Sequence, residues 1–295
     1  MLASEHSLRR QKSLFKSALD VAFSDSEIQL MWRQILSQFL GISTTDQILL
    51  RKEDLLLSQV EVIESVLKRI LNQEPFQHIL GEVEFYGLPL KIDGRGLIPR
   101  PETEELVDWI VRDNKLPVHS ILDICSGSGC IALALSQYFE TAQVSGIEFS
   151  TDALALSEEN ALELKLPVGF FGVDVLDEMA FKSFLQKQTK ATKLLDVVVS
   201  NPPYIPMAEK SDMDSVVTDY EPSLALFVPN EDPLLFYRTI ANSIYPFLST
   251  TGALYFECHY LYLENTREML LELGFKSVEK RKDLQGKWRM LKAQK

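Results

Sequence analysis

Asn201-Pro202-Pro203-Tyr204 is the stretch whose residue types and spacing point most directly to a reaction. An amide or aromatic amine nitrogen is a poor nucleophile, because its lone pair is delocalised into the adjoining π system. Group transfer to such a nitrogen requires that its N–H bonds be held while the lone pair is turned to the electrophile. The Asn201 side-chain oxygen is suited to accept one N–H, and the Pro202 carbonyl another. Pro202 and Pro203 stiffen the backbone that carries these acceptors, so less freedom is lost when the substrate aligns. Tyr204 is expected to offer a flat face on which a planar group stacks. No strong general base is needed if the proton leaves after the transfer.

A second segment supplies the ligand that such chemistry needs. Ile121-Leu122-Asp123-Ile124-Cys125-Ser126-Gly127-Ser128-Gly129-Cys130 reads as a strand, a glycine turn and a helix start. Such a turn brings backbone N–H groups and a helix N-terminus against a ligand. Ala132 stands at the third glycine of the dinucleotide pattern, a place where that pattern also tolerates alanine. Asp123 discriminates better, since a carboxylate beside the turn repels a pyrophosphate and attracts a positively charged ligand. S-adenosylmethionine, with its ammonium and sulfonium, meets that demand. Glu148, with Phe149 beside it, ends the next apolar run, where a carboxylate accepts both hydroxyls of a ribose. Asp174 ends the following run and is placed for an adenine amine, with Val175 against the ring. Asn201 belongs to both groups of residues, between cofactor and substrate.

The elements that must position these residues alternate in type. Apolar runs at 120–125, 143–148, 169–173, 194–200 and 253–258 read as strands. Helical patterns fall at 102–114, 129–139, 152–164, 178–188, 233–247 and 261–273. Strands separated by single helices imply right-handed crossovers and a mostly parallel sheet with both faces covered. Residues 274–292 are expected to close the sheet as an antiparallel pair. The fold class predicted is α/β, Rossmann-like, behind a small all-α bundle.

That bundle spans residues 1–73. Ile28, Leu30, Met31, Ile35, Leu36, Phe39 and Leu40 recur at helical spacing, as do Leu55, Leu56, Val60, Ile63, Val66, Leu67 and Ile70. Ser24 or Asp25, with Glu27 close behind, caps the first of these helices. Substrate presentation is the sensible role for a bundle without chemistry of its own. Residues 74–100 read as a β-hairpin linker, rich in glycine and ending in Ile98-Pro99-Arg100-Pro101. Residues 101–295 form the domain that carries the reaction. Pro101 suits the first turn of its first helix, and Glu102 and Glu104 suit the positive end of the helix dipole.

Composition narrows the partners. The chain has 295 residues, 46% hydrophobic and 24% charged, in the range of a globular protein. Its apolar runs are too short to span a bilayer, and Met1 to Gln11 is polar with no apolar stretch after it, so a cytoplasmic protein is expected. Cys125, Cys130 and Cys258 form no CxxC pair and the four histidines show no ligand spacing, so neither a disulfide framework nor a metal site is expected. The net charge of −12 disfavours a long nucleic acid and suits a protein partner. A monomer is the expected state.

Taken together, these segments resemble the class I S-adenosylmethionine-dependent methyltransferases. More narrowly, the chain resembles the protein-(glutamine-N5) methyltransferases that modify peptide chain release factors. The resemblance rests on Leu80-Gly81-Glu82-Val83-Glu84-Phe85-Tyr86-Gly87, on Ile98-Pro99-Arg100-Pro101-Glu102-Thr103-Glu104, and on Asn201-Pro202-Pro203-Tyr204-Ile205-Pro206. Asp219-Tyr220-Glu221-Pro222-Ser223-Leu224-Ala225-Leu226, followed by Phe236-Tyr237, completes it. It implies that Cys125, Ser126, Gly127, Ser128 and Gly129 line the cofactor together with Glu148 and Asp174 or Val175. It implies too that Asn201, Pro202, Pro203 and Tyr204 grip a glutamine amide in the Gly-Gly-Gln loop of a release factor. Arg100 then shapes the substrate entrance, and the helical domain holds the factor. Four places depart from the family pattern: Cys125 where glycine is common, Glu148 where aspartate is common, 229–233 in place of a glycine-rich turn, and Cys258-His259 after Glu257. Three other readings use the same residues: a ribosomal-protein glutamine methyltransferase, an adenine-N6 methyltransferase on a flipped base, and a non-catalytic adaptor. An intact Asn201 beside an intact glycine turn argues against the last.

Overall fold

Alternating helix and strand patterns produce the expected layers in the computed structural model, which describes residues 6–49, 54–114, 117–192 and 194–295. The chain forms two compact units that divide between Gly81 and Glu82.

The first unit holds α1 (Leu8–Leu19), α2 (Asp25–Leu40), α3 (Thr44–Leu49), α4 (Leu57–Leu71) and α5 (Phe76–Leu80). Ser24 caps α2: its backbone N–H donates to Glu27 Oε2 at 2.7 Å and its hydroxyl accepts from the Glu27 N–H. The core is Phe15, Leu19, Trp32, Ile35, Leu36, Ile63 and their neighbours, with the Phe15 and Trp32 rings 5.4 Å apart. Leu30 and Phe39, which the helical spacing groups with Ile35, are exposed, whereas Trp32 is buried. One helix face can be covered at a time, and the covered face is the one carrying Ile28, Trp32, Ile35 and Leu36. The α5 helix lies in the segment expected as linker.

The second unit begins with a hairpin of β1 (Glu82–Phe85) and β2 (Leu88–Lys91), paired antiparallel. Its two turn residues, Tyr86 and Gly87, both have positive φ (49° and 80°), which matches the twist of a two-residue hairpin. The Tyr86 N–H donates to Glu104 Oε1 at 2.9 Å, tying the turn to α6 (Pro101–Asp113).

The sheet strands are β3 (Ser120–Ile124), β4 (Gln143–Glu148), β5 (Gly169–Gly172), β6 (Leu195–Ser200), β9 (Leu248–Glu257), β10 (Ser277–Lys282) and β11 (Trp288–Gln294). A short parallel pair, β7 (Ile205–Pro206) and β8 (Phe227–Val228), stands apart from them. The helices between are α7 (Cys130–Tyr138), α8 (Thr151–Leu164), α9 (Glu178–Thr192), α10 (Ser215–Tyr220), α11 (Ser223–Leu226), α12 (Leu235–Ile244) and α13 (Leu263–Glu272). The sheet order is β10-β11-β9-β6-β3-β4-β5, with β9, β6, β3, β4 and β5 parallel and β11 and β10 antiparallel at one edge.

Both faces of the sheet are covered. Ile121, Val197 and Val199 pack with Leu106, Ile110 and Leu133 of α6 and α7. Leu122, Ile124 and Val198 pack with Phe181, Ile240 and Leu270 of α9, α12 and α13. Because β3 has β4 on one side and β6 on the other, the chain reverses its winding direction there, which opens a crevice beyond the strand ends. No helix among the described residues is long and apolar enough to cross a membrane.

Candidate active site

A cavity of about 320 Å³ occupies that crevice, within the usual range for a small-molecule site. Its wall is built from residues at and just beyond the ends of the parallel strands: Cys125 to Ser128 after β3, Glu148 and Phe149 at β4, Asp174 and Val175 after β5, and Asn201 and Pro203 after β6.

The loop after β3 is shaped by backbone conformation. Gly127 and Gly129 have φ of 55° and 82°, and a Cβ on Gly129 would come within 2.7 Å of the Phe170 ring. The Glu148 carboxylate closes the loop from the next strand. Its Oε2 accepts from the Gly127 N–H at 2.9 Å and its Oε1 from the Ser150 N–H at 2.8 Å. Each oxygen keeps a lone pair for a further donor, as a ribose diol requires. Asp174 Oδ1 accepts from the Leu176 N–H at 2.8 Å, which leaves Oδ2 for an amine. Cavity size, the two oriented carboxylates and the open loop backbone fit S-adenosylmethionine. Among the described residues, no group of three His, Cys, Asp or Glu side chains is placed to hold a metal ion.

Asp123 is not on the cavity wall. It is fully buried on the face of β3 that meets α7, and its Oδ2 accepts from the Ala132 N–H at 3.2 Å. Its Oδ1 has no hydrogen-bond partner among the described residues, and burial pushes its carboxyl up to about 7. It braces the first turn of α7 beneath the loop. Gly129, Pro202 and Tyr204 are likewise absent from the wall, while Arg100, Cys125, Ser126, Gly127, Ser128, Glu148, Phe149, Asp174, Val175, Asn201 and Pro203 are on it.

At the end of β6, Asn201 Nδ2 donates to Thr103 Oγ1 at 3.3 Å. The Thr103 hydroxyl in turn donates to Glu257 Oε2 at 2.7 Å, and the Tyr204 hydroxyl donates to Glu257 Oε1 at 3.2 Å. Tyr204, behind the wall, is held from two sides: its hydroxyl is tethered to Glu257 and its ring meets His259 edge-on at 5.9 Å. Burial, then the nearby Glu257 charge, pushes the Tyr204 phenol far above its ordinary value, so it stays a neutral donor. Thr103 lies in the 98–104 segment and Glu257 just before Cys258-His259, but from sequence neither was expected to have a role at the site.

Arg100 reaches the cavity beside a buried partner. Its guanidinium donates to Glu221 Oε1 at 2.5 Å, and Glu221 Oε2 accepts from the Ile98 N–H at 3.1 Å. Glu221 is 5% exposed, so one acid pins the Ile98-Pro99-Arg100 strap across the site.

Two families match this chain. Methyltransferase small domain covers residues 104–218, and PrmC N-terminal domain covers residues 12–81, ending where the first unit ends. The Release factor glutamine methyltransferase of Flavobacterium psychrophilum is 38% identical, over 97% of this chain and 98% of its own. Its counterpart in Bacteroides thetaiotaomicron is 36% identical over 97% and 99%. The chain belongs to the release factor glutamine methyltransferase family.

In this release factor glutamine methyltransferase the backbone at Cys125 has a geometry that suits glycine better than a side chain with a Cβ. Cys125 has φ of 61°, in the left-handed region that penalises a Cβ by about 1–2 kcal/mol. Burial, followed by the charges of Glu148 and Asp123, raises its thiol well above the ordinary value, so it is no thiolate nucleophile. Cys125→Gly is expected to change unfolding free energy in urea by less than about 1 kcal/mol, since relief of strain offsets lost packing and greater chain entropy. Cys125→Val, β-branched at the same φ, is expected to lower it by about 2 kcal/mol. Equal stability of the two variants would show that strain at this position has no consequence.

Proposed function

We propose that this chain transfers a methyl group from S-adenosylmethionine to the side-chain amide nitrogen, N5, of the glutamine in the Gly-Gly-Gln loop of peptide chain release factors. The observation that carries the reading is Asn201: with Nδ2 bound to Thr103, its Oδ1 makes no hydrogen bond among the described residues and is left to accept a substrate N–H. It stands on the cavity wall, beyond the end of a parallel strand. The full-length relatives carry the name of that activity.

In this reading Oδ1 of Asn201 and the Pro202 carbonyl hold the two N–H bonds of the glutamine amide, and Pro203 forms the adjoining wall. Locking those hydrogens turns the nitrogen lone pair toward the cavity. S-adenosylmethionine, when bound, supplies the electrophilic methyl. The loop from Cys125 to Gly129, Glu148, Phe149, Asp174 and Val175 orient it, and Arg100 lines the approach. Once methylated, the nitrogen carries one proton too many and is at its most acidic, and that proton passes to solvent. The first unit, through Gly81, holds the release factor, the hairpin and strap up to Arg100 link, and 101–295 carry the reaction, in a cytoplasmic monomer that needs no membrane or nucleic acid.

The test is transfer of labelled methyl to a release factor, to the same factor with its Gly-Gly-Gln glutamine replaced, to ribosomal protein and to DNA. Label is expected on the intact factor alone. Equal labelling of the replaced factor, or labelling of DNA only, would sink the reading.

A further inference from the structure

We propose that Thr103 and Glu257 are positioning residues: a one-way chain of hydrogen bonds from Asn201 through Thr103 to Glu257 sets which end of the Asn201 amide faces the substrate. The inference rests on the glutamine-methylating reading and explains how that reading's key acceptor is aimed.

A side-chain amide can sit in either of two flipped orientations of nearly the same shape, and only one presents oxygen to the substrate. Flipped, Asn201 would aim its NH₂ at the substrate's own N–H bonds, and both partners would be donors. Something must forbid the flip. Thr103 has a single hydroxyl proton, and the 2.7 Å contact commits it to Glu257 Oε2. The Thr103 oxygen can then only accept, so the Asn201 atom that faces it at 3.3 Å must be Nδ2. The direction of the first bond fixes the second.

Glu257 is the anchor because its surroundings make it an acceptor. It lies at the end of β9, 2% exposed, with Tyr204 donating to its other oxygen at 3.2 Å. The Tyr237 hydroxyl donates to its backbone carbonyl at 3.3 Å. Burial pushes its carboxyl above the ordinary value, while the Thr103 hydroxyl, the charge of Arg289 on β11 and the Tyr204 hydroxyl pull it back. Glu257 thereby orders two catalytic-loop residues at once, Asn201 through Thr103 and Tyr204 directly. Thr103 is 2% exposed and closes the network within the site.

Thr103→Val keeps the shape and deletes the hydroxyl; Thr103→Ser keeps the hydroxyl. For Thr103→Val, kcat for methyl transfer to a release factor is expected to fall about tenfold to a hundredfold, with KM for the factor and Kd for S-adenosylmethionine within about threefold of wild type. Thr103→Ser should restore kcat. The second measurement needs no turnover: hydrogen exchange of the Asn201 side-chain NH₂, its NMR signal identified by its loss in Asn201→Ala. That signal should exchange slowly in wild type and Thr103→Ser and fast in Thr103→Val. Wild-type kcat in Thr103→Val, or equal exchange in all three proteins, overturns the relay. If wild type methylates no release factor, the functional reading falls and the exchange rates alone decide the relay.

Discussion

Asn201→Ala is expected to lower kcat for methyl transfer by about 10²–10³-fold, the range seen when one preorganised polar group is removed from a reaction centre. Affinity for S-adenosylmethionine, measured by calorimetry, should stay within about threefold. The two outcomes separate because the contacts of Asn201 are few and local. Among the described residues its one side-chain hydrogen bond is to Thr103 at 3.3 Å, and it supports none of the loop after β3. Glu148 and the backbone of Gly127 provide that loop's closure instead, from a different strand. Alanine at 201 therefore removes the substrate acceptor and leaves the loop after β3 and its Glu148 closure standing. Thr103 remains satisfied through Glu257, so folding should change little. If cofactor affinity collapses along with transfer, the main work of Asn201 on the cavity wall is to hold the cofactor and not the substrate amide.

The sheet was legible because its strands are short uninterrupted apolar runs. Val197, Val198 and Val199 are buried from both sides, as a parallel strand under two helical layers requires. The reaction loop was legible as well, since Asn-Pro-Pro-Tyr sits directly after such a run. The orientation of side chains around it was not. Spacing placed Asp123 near the glycine turn, but strand alternation puts it on the face toward α7, away from the cavity. Tyr204 read as a stacking surface from its flat ring alone; the partner of its hydroxyl, Glu257, comes from another strand. Thr103 and Asn201 lie 98 residues apart, and Thr103 and Glu257 lie 154 apart. No local pattern joins residues at such separations; the pairing of β6 with β9 and the packing of α6 on the sheet bring them together. The short helices α10 and α11 were missed for a related reason. Helices of six and four residues are too short to show a helical period.

Glu148→Ala is expected to weaken S-adenosylmethionine binding by about tenfold to a hundredfold and, by stripping the acceptor from two backbone N–H groups, to lower stability by about 1–3 kcal/mol. A hydrogen bond to a charged group contributes roughly 1.5–3 kcal/mol, and each 1.4 kcal/mol is about tenfold in Kd. The acid acts on both sides of its carboxylate. Toward the protein it accepts from Gly127 and Ser150 at 2.9 and 2.8 Å, closing the loop in a set shape; toward the cavity it has the lone pairs that a diol needs. Glu148→Gln separates the two duties. An amide has one accepting oxygen, so either the Gly127 or the Ser150 N–H would face an NH₂ group. Near-equal size therefore should not rescue binding, and the glutamine variant is expected to be at least as weak as alanine. Full affinity in Glu148→Gln would mean that the negative charge and its paired acceptors are dispensable. The loop's shape would then come from Gly127 and Gly129 alone.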